Sequence, residues 1–183
     1  MLRPYAIPDA FSGDECDRIV EIARNGLLKE AGLVRGVRDS DLRRAELAWL
    51  DEREGADWVE GRLVDLVAAA NRAHFGFALE DFAESAQVAR YGAEREGHFA
   101  WHSDIGDGPV ARRRKLTLVV QLSDPALYEG GALEVWPDGT ARTAARDKGA
   151  AILFPSFMLH RVTPVTRGER HSLTIWAHGP EFR

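Results

Sequence analysis

An imidazole and a carboxylate two residues apart, His102 and Asp104, form an H-x-D pair near the middle of this 183-residue chain. On extended backbone, side chains at i and i+2 point to the same face, so these two groups converge on one point. A third ligand must come from elsewhere. His160 is the candidate, in the run AILFPSFMLHRV, which reads as strand, turn, strand. Two imidazoles and one carboxylate make a facial set that suits Fe(II) and leaves coordination positions open. Zinc is the rival occupant, because its catalytic sites also use two His and a carboxylate. A zinc hydrolase would want a general base at H-E-x-x-H spacing, and the sequence has none.

Arg170 opens RHSLTIWAHG, ten residues beyond His160. The segment alternates as a strand does: Arg170, Ser172, Thr174 and Trp176 share one face, and Leu173, Ile175 and Ala177 share the other. A polar face bearing a cation, backed by an apolar face, predicts the wall of a lined pocket. The planar guanidinium fork matches a carboxylate bidentately, which a lysine could not do.

The order of these parts is a pattern in itself. Tyr91-Gly92 comes first, then H-F-x-x-H-x-D from His98 to Asp104, then Gly130-Gly131-x-Leu133, then His160 and Arg170. This pattern resembles the Fe(II)/2-oxoglutarate-dependent dioxygenases, most closely their prolyl 4-hydroxylase-like branch. It spans roughly residues 85–180, with a looser likeness in the N-terminal IPDAFSGDECDRIV. The resemblance implies that His102, Asp104 and His160 are the catalytic iron ligands. It also implies that Arg170 anchors the distal carboxylate of 2-oxoglutarate, helped by the hydroxyl of Thr174, while the Tyr91 phenol bonds the same cosubstrate. Trp176 matches an aromatic near the metal and reads equally well as packing.

The cofactors so implied are Fe(II), 2-oxoglutarate as cosubstrate and O2, with ascorbate a candidate reductant. The implied reaction is hydroxylation of an unactivated C–H bond with release of succinate and CO2. The expected substrate is a prolyl or other residue in a peptide or protein. A carboxylate at position 104 disfavours the halogenating variant, in which halide replaces that ligand. The chain carries no added peptide-binding domain, so a free amino acid or small metabolite is an alternative. From another class, a non-catalytic cupin-like module would hold metal and ligand without turnover.

Other reactive residues have plainer readings. His98 could share the face of His102 as a substitute ligand or a supporting partner. His74 closes a helix, where an imidazole suits the dipole. His171 falls opposite Arg170 and packs or faces solvent, and His178 lies too far along its strand to ligate. The run Arg112-Arg113-Arg114-Lys115 reads as a solvated face, or as part of a mobile loop, 105–114, that closes over substrate. Cys16 reads as a small buried hydrophobe.

Stepwise turn signals show which elements must carry this chemistry. From about residue 85 onward, strands are expected near 86–92, 97–103, 115–123, 132–136, 141–145, 150–154, 159–164 and 170–178. Eight short strands fit a double-stranded β-helix, or jelly roll. Upstream, Ser12 and Glu15 form a capping box for a helix with Ile19, Ile22, Ala23 and Gly26 at helical spacing. Residues 27–40 read as irregular, and Leu42 to Leu50 as a strand with Leu47 and Trp49 on one face. Asp51 to Glu54 reads as a second capping box for a helix to about His74, striped by Val59, Leu63, Leu66, Val67 and Ala70. The expected fold class is α+β: a double-stranded β-helix core over 85–183, with a helical support region over 1–84 packed on one face, in a single domain.

Composition agrees. Hydrophobic content of 45% and charged content of 29% are ordinary for a globular chain. A net charge of −5 argues against a general nucleic-acid binder. The single cysteine forbids an internal disulfide and fits a reducing compartment. No signal-type apolar region opens the chain and no stretch nears the ~20 apolar residues of a membrane span, so the expectation is a cytoplasmic protein without membrane partners. The oligomeric state is not legible.

Overall fold

The computed structural model describes residues 3–24, 29–31, 33–34, 37–38, 41–52 and 54–182. Two α-helices, α1 (Gly13–Arg24) and α2 (Asp57–Ala70), precede most of the strands. In chain order the strands are β1 (Tyr5–Ile7), β2 (Lys29–Ala31), β3 (Leu33–Val34), β4 (Val37–Arg38), β5 (Arg43–Trp49), β6 (Gln87–Gly92), β7 (His98–His102) and β8 (Arg114–Gln121). They continue with β9 (Glu129–Gly130), β10 (Leu133–Val135), β11 (Arg142–Thr143), β12 (Ala151–Pro155), β13 (His160–Val162), β14 (Val165–Arg167) and β15 (Glu169–His178).

One wall runs β1-β12-β8-β15-β6-β5, and the other runs β5-β7-β13-β10-β11, every pair antiparallel. Strand β5 belongs to both walls. Arg43 and Arg44 pair with β7, while Glu46 to Trp49 pair with β6. The sheet is thereby curled into the expected double-stranded β-helix, and all eight strands expected after residue 85 are present. The first half contributes β1 and β5 to the walls as well as helices.

Side-chain parity divides the interior into two layers. Leu116, Leu118 and Val120 of β8, and Leu173, Ile175 and Ala177 of β15, turn outward into a core shared with Ile19 of α1 and with Val59, Leu63 and Val67 of α2. Their alternates turn into the barrel, where Val119, Tyr91, Ile152, Phe154, Leu133 and Val162 form a second cluster. The helices therefore cover one outer face, and the polar face of β15 is left to the barrel interior. Cys16 is fully buried in the helix-side layer, and burial pushes its thiol up to about 11.

The first capping box forms as read: the Ser12 N–H donates to Glu15 Oε2 at 2.8 Å, and the Glu15 N–H to Ser12 Oγ at 3.2 Å. The second does not. A short 3-10 turn occupies Leu50–Glu52, the Asp51 N–H donates to Ser85 Oγ at 3.1 Å, and α2 begins at Asp57 behind Ala56, with no side-chain cap. Its acidic first turn, Asp57 and Glu60, suits the dipole instead. Beyond Ala70 the helical backbone widens to a π-type turn through Phe75, ended by Gly76 in the left-handed conformation. Within the stretch read as irregular, β2 pairs with β5 and β3 with β4. Gly26 lies outside the described residues.

Candidate metal centre and its pocket

His102 ends β7 and His160 opens β13, and the two strands pair with these residues directly opposite each other. Their rings consequently meet with centroids 4.1 Å apart. Each Nδ1 lies against a carbonyl two residues back, Ala100 O at 2.7 Å for His102 and Met158 O at 3.0 Å for His160. A proton on Nδ1 donated to that carbonyl leaves each Nε2 as a lone-pair donor, the form that ligates metals.

Asp104 lies just past β7, its N–H donating to Ser156 O at 2.8 Å. Its two oxygens are differentiated. Oδ2 accepts from Thr117 Oγ1 at 2.8 Å and from Trp176 Nε1 at 2.9 Å. Oδ1 instead faces both imidazoles, 3.4 Å from His102 Nε2 and 3.5 Å from His160 Nε2. One ligand atom from each of the three residues falls within 4.8 Å of the others. Burial opposes ionisation of Asp104, but the facing His160, His102 and the Trp176 N–H outweigh it and hold the carboxyl well below the usual carboxylate range. Burial lowers His160, against the pull of Asp104. An ionised carboxylate beside neutral imidazole is the protonation pattern a divalent metal needs. His102 Nε2 is buried without a hydrogen-bond partner, and a buried polar atom is seldom left so. The donor set and this orphaned nitrogen fit a metal such as Fe(II), which His102, Asp104 and His160 would hold.

The same pocket continues to Arg170. Its lining includes Tyr91, Ser172, Thr174 and Trp176, so the whole polar face of β15 is turned inward as the alternation predicted. Arg170 is 1% exposed. Its Nε and one terminal nitrogen donate to Gln121 Oε1 at 3.2 and 3.0 Å, and the other terminal nitrogen, Nη1, is buried without a partner. No carboxylate among the described residues pairs with this guanidinium. Burial pulls it below the ordinary arginine value, an effect partly offset by the phenols of Tyr91 and Tyr128. A buried cation held by neutral groups, with one donor free, is a ready anchor for an incoming carboxylate. Gly131 makes room for it: with φ at +60°, it would, if given a Cβ, place that atom 3.1 Å from Arg170 Cδ and 2.9 Å from Val165 Cγ2.

The remaining candidates are elsewhere. His98 has both ring nitrogens against carbonyls, Glu96 O at 2.8 Å and Asp41 O at 3.0 Å, and is not part of the ligand cluster. His74 Nε2 lies 2.9 Å from Arg3 O. His171 is buried on the helix side near Ser123, and His178 is fully buried with Nε2 3.0 Å from Glu84. The basic run is not a free solvated face. Arg113 pairs with Glu80 and Asp81, Arg114 with Glu84, and Lys115 is buried against the ring of Phe182. No residue of 105–114 lines the pocket. Sequence reasoning missed Thr117 and Arg43, which also line it, and Gln121, which holds Arg170 from behind. Thr117 and Gln121 share strand parity in β8, an alternation that a run of apolar neighbours conceals.

Comparison with known proteins agrees with this geometry. Residues 86–178 match the family model described as the 2OG-Fe(II) oxygenase superfamily. A PKHD-type hydroxylase of Teredinibacter turnerae is 44% identical over 64 residues, 35% of this chain and 28% of that protein. One from Shewanella sp. (strain MR-7) is 28% identical over 176 residues, 93% of this chain and 75% of the relative. Matches to several such relatives span only about a third of their length. Among solved structures, a Pseudomonas putida prolyl-4-hydroxylase superposes with a TM-score of 0.77 at 25% identity, covering 96% of this chain and 92% of that one. A Trichoplax adhaerens prolyl hydroxylase, in complex with a hypoxia inducible factor peptide fragment, gives 0.79 at 17% identity over 96% and 83%, a likeness of fold. With the family model covering half of its length, this chain belongs to the 2OG-Fe(II) oxygenase superfamily.

Proposed function

We propose that this chain is an Fe(II)- and 2-oxoglutarate-dependent hydroxylase in which His102, Asp104 and His160 hold the metal and Arg170, Thr174 and Tyr91 receive the cosubstrate. The observation that carries the proposal is Arg170, a buried guanidinium with an unpartnered donor, in one pocket with a two-His, one-carboxylate cluster. Bound there, Fe(II) with 2-oxoglutarate and O2 supplies oxidative decarboxylation to succinate and CO2 and insertion of one oxygen into a C–H bond. The protein's own groups position and exclude. Thr117 and Trp176 occupy Asp104 Oδ2 and present Oδ1 alone. Gln121 orients Arg170 toward the cosubstrate's distal carboxylate, and barrel side chains such as Leu133 and Val162 keep the site dry.

The substrate proposed first is a prolyl or other residue of a peptide or protein, in keeping with relatives described as prolyl hydroxylases. A free amino acid or small metabolite is the second reading, favoured by a pocket lining with two arginines, Arg43 and Arg170, against one carboxylate, Asp104. Residues 1–183 are proposed to act as one unit, with 1–84 supporting the β-helix core. The setting proposed is cytoplasmic; no helix among the described residues is long and apolar enough to cross a membrane. Aerobic incubation with Fe(II) and 2-oxoglutarate should yield succinate, and mass spectrometry of candidate substrates should find one added oxygen. Metal and 2-oxoglutarate binding without any succinate would favour a non-catalytic binding module.

A further inference from the structure

Arg43 opens β5 where that strand passes from one wall to the other, and it lines the same pocket as the metal ligands and Arg170. Its guanidinium carbon stands 4.5 Å from the centre of the Phe99 ring. Phe99 in turn stacks on His102, with centroids 3.4 Å apart and planes 14° from parallel. One aromatic layer thus separates a cation from a metal ligand. A terminal nitrogen of Arg43 donates to Gln87 Oε1 at 2.9 Å, and its Nε is buried without a partner. No carboxylate among the described residues pairs with Arg43, whereas its neighbour Arg44 pairs with Asp41 and Glu96.

The pocket lining therefore holds two arginines and one carboxylate, Asp104. A divalent metal and doubly charged 2-oxoglutarate cancel each other, so the loaded pocket keeps one positive charge, and the Nε of half-buried Arg43 is closed to water. Such a charge is unfavourable unless an anion meets it, and a guanidinium fork matches a carboxylate best. We infer that Arg43 is a specificity-determining residue that receives a carboxylate borne by the primary substrate. This rests on the hydroxylase reading above and deepens it. The carboxylate has two chemical sources: the α-carboxylate of a free amino acid or C-terminal residue, or an acidic side chain beside the target residue of a peptide.

Two matched pairs separate the sources: N-acetyl-L-proline against N-acetyl-L-prolinamide, and a proline-centred pentapeptide with Glu against the same peptide with Gln. Affinity is read anaerobically on the full chain loaded with Co(II) and 2-oxoglutarate, from tryptophan fluorescence, since Trp176 lines the pocket. The acid of at least one pair should bind ten times more tightly or better. Arg43→Met should abolish that preference, and Arg43→Lys should keep part of it, with circular dichroism verifying that each variant is folded. Equal affinity or no binding in both pairs, or an acid preference that survives Arg43→Met, would overturn the inference. Succinate formation is measured in parallel, and its absence would count against the hydroxylase reading while leaving the acid-to-amide comparison readable.

Discussion

The division of labour between the two oxygens of Asp104 is the finest feature of this site. One is saturated by neutral donors from facing strands, the other is turned to two imidazole lone pairs. At the same scale, Arg170 is held from one side by Gln121 and is free on the other. Losing one partner of a buried, hydrogen-bonded charge pair costs about 2–5 kcal/mol. Arg170→Ala should therefore raise the KM for 2-oxoglutarate by at least 30-fold, and Arg170→Lys by less, as steady-state succinate kinetics will measure. Unchanged kinetics at low 2-oxoglutarate in Arg170→Ala would remove the assigned anchor. These residues were legible because their signal is local: an i, i+2 pair, and a strand whose polar residues keep strict parity. Arg43, Thr117 and Gln121 were not, because each matters only through a neighbour on another strand.

Among the elements, β5 and β8 show what pattern reading could and could not supply. Strand positions followed from alternation and turn signals, but that β5 would join both walls depends on register with β6 and β7, which no local pattern encodes. The failed capping box at Asp51 has the same origin, since the nearby Ser85 hydroxyl takes the Asp51 N–H. The basic run entering β8 is likewise explained by distant partners. Arg114 pairs with Glu84, lies 4.3 Å from the Trp176 ring centre and donates to Asp104 O at 2.9 Å, while Glu84 also contacts His178. Burial opposes ionisation of Glu84, and its bonds with His178 and Arg114 win, holding it below the usual carboxylate range. Glu84→Gln would leave Arg114 charged and poorly paired behind Asp104. Because both groups keep some solvent contact, the expected loss is about 2 kcal/mol, short of that for breaking a fully buried pair. Urea unfolding will check it, and a double-mutant cycle with Arg114→Met should recover much of the loss.

Across the molecule as a whole, two layers back one sheet: helices outside, the candidate metal pocket inside. His171 sits on the helix side, where burial drives its pKa down to about 4 despite the pull of Glu169. A histidine depressed in the folded state stabilises the fold above its unfolded value, near 6.5, and that contribution is lost as pH falls toward 4. Denaturant midpoints should thus decline from pH 7 to pH 5, with a shallower slope in His171→Leu. The barrel interior is where the central claim lies: two histidines and one aspartate hold one metal beside a cosubstrate gripped by Arg170. An anaerobic titration with Fe(II) and 2-oxoglutarate, followed by the visible charge-transfer absorption of a bidentate 2-oxo acid on Fe(II), addresses it most directly. The band should saturate at one iron per chain, vanish in Asp104→Ala and His160→Ala, and require far more 2-oxoglutarate in Arg170→Ala. A band of full intensity in the ligand variants, or none in the native chain, would contradict the assignment.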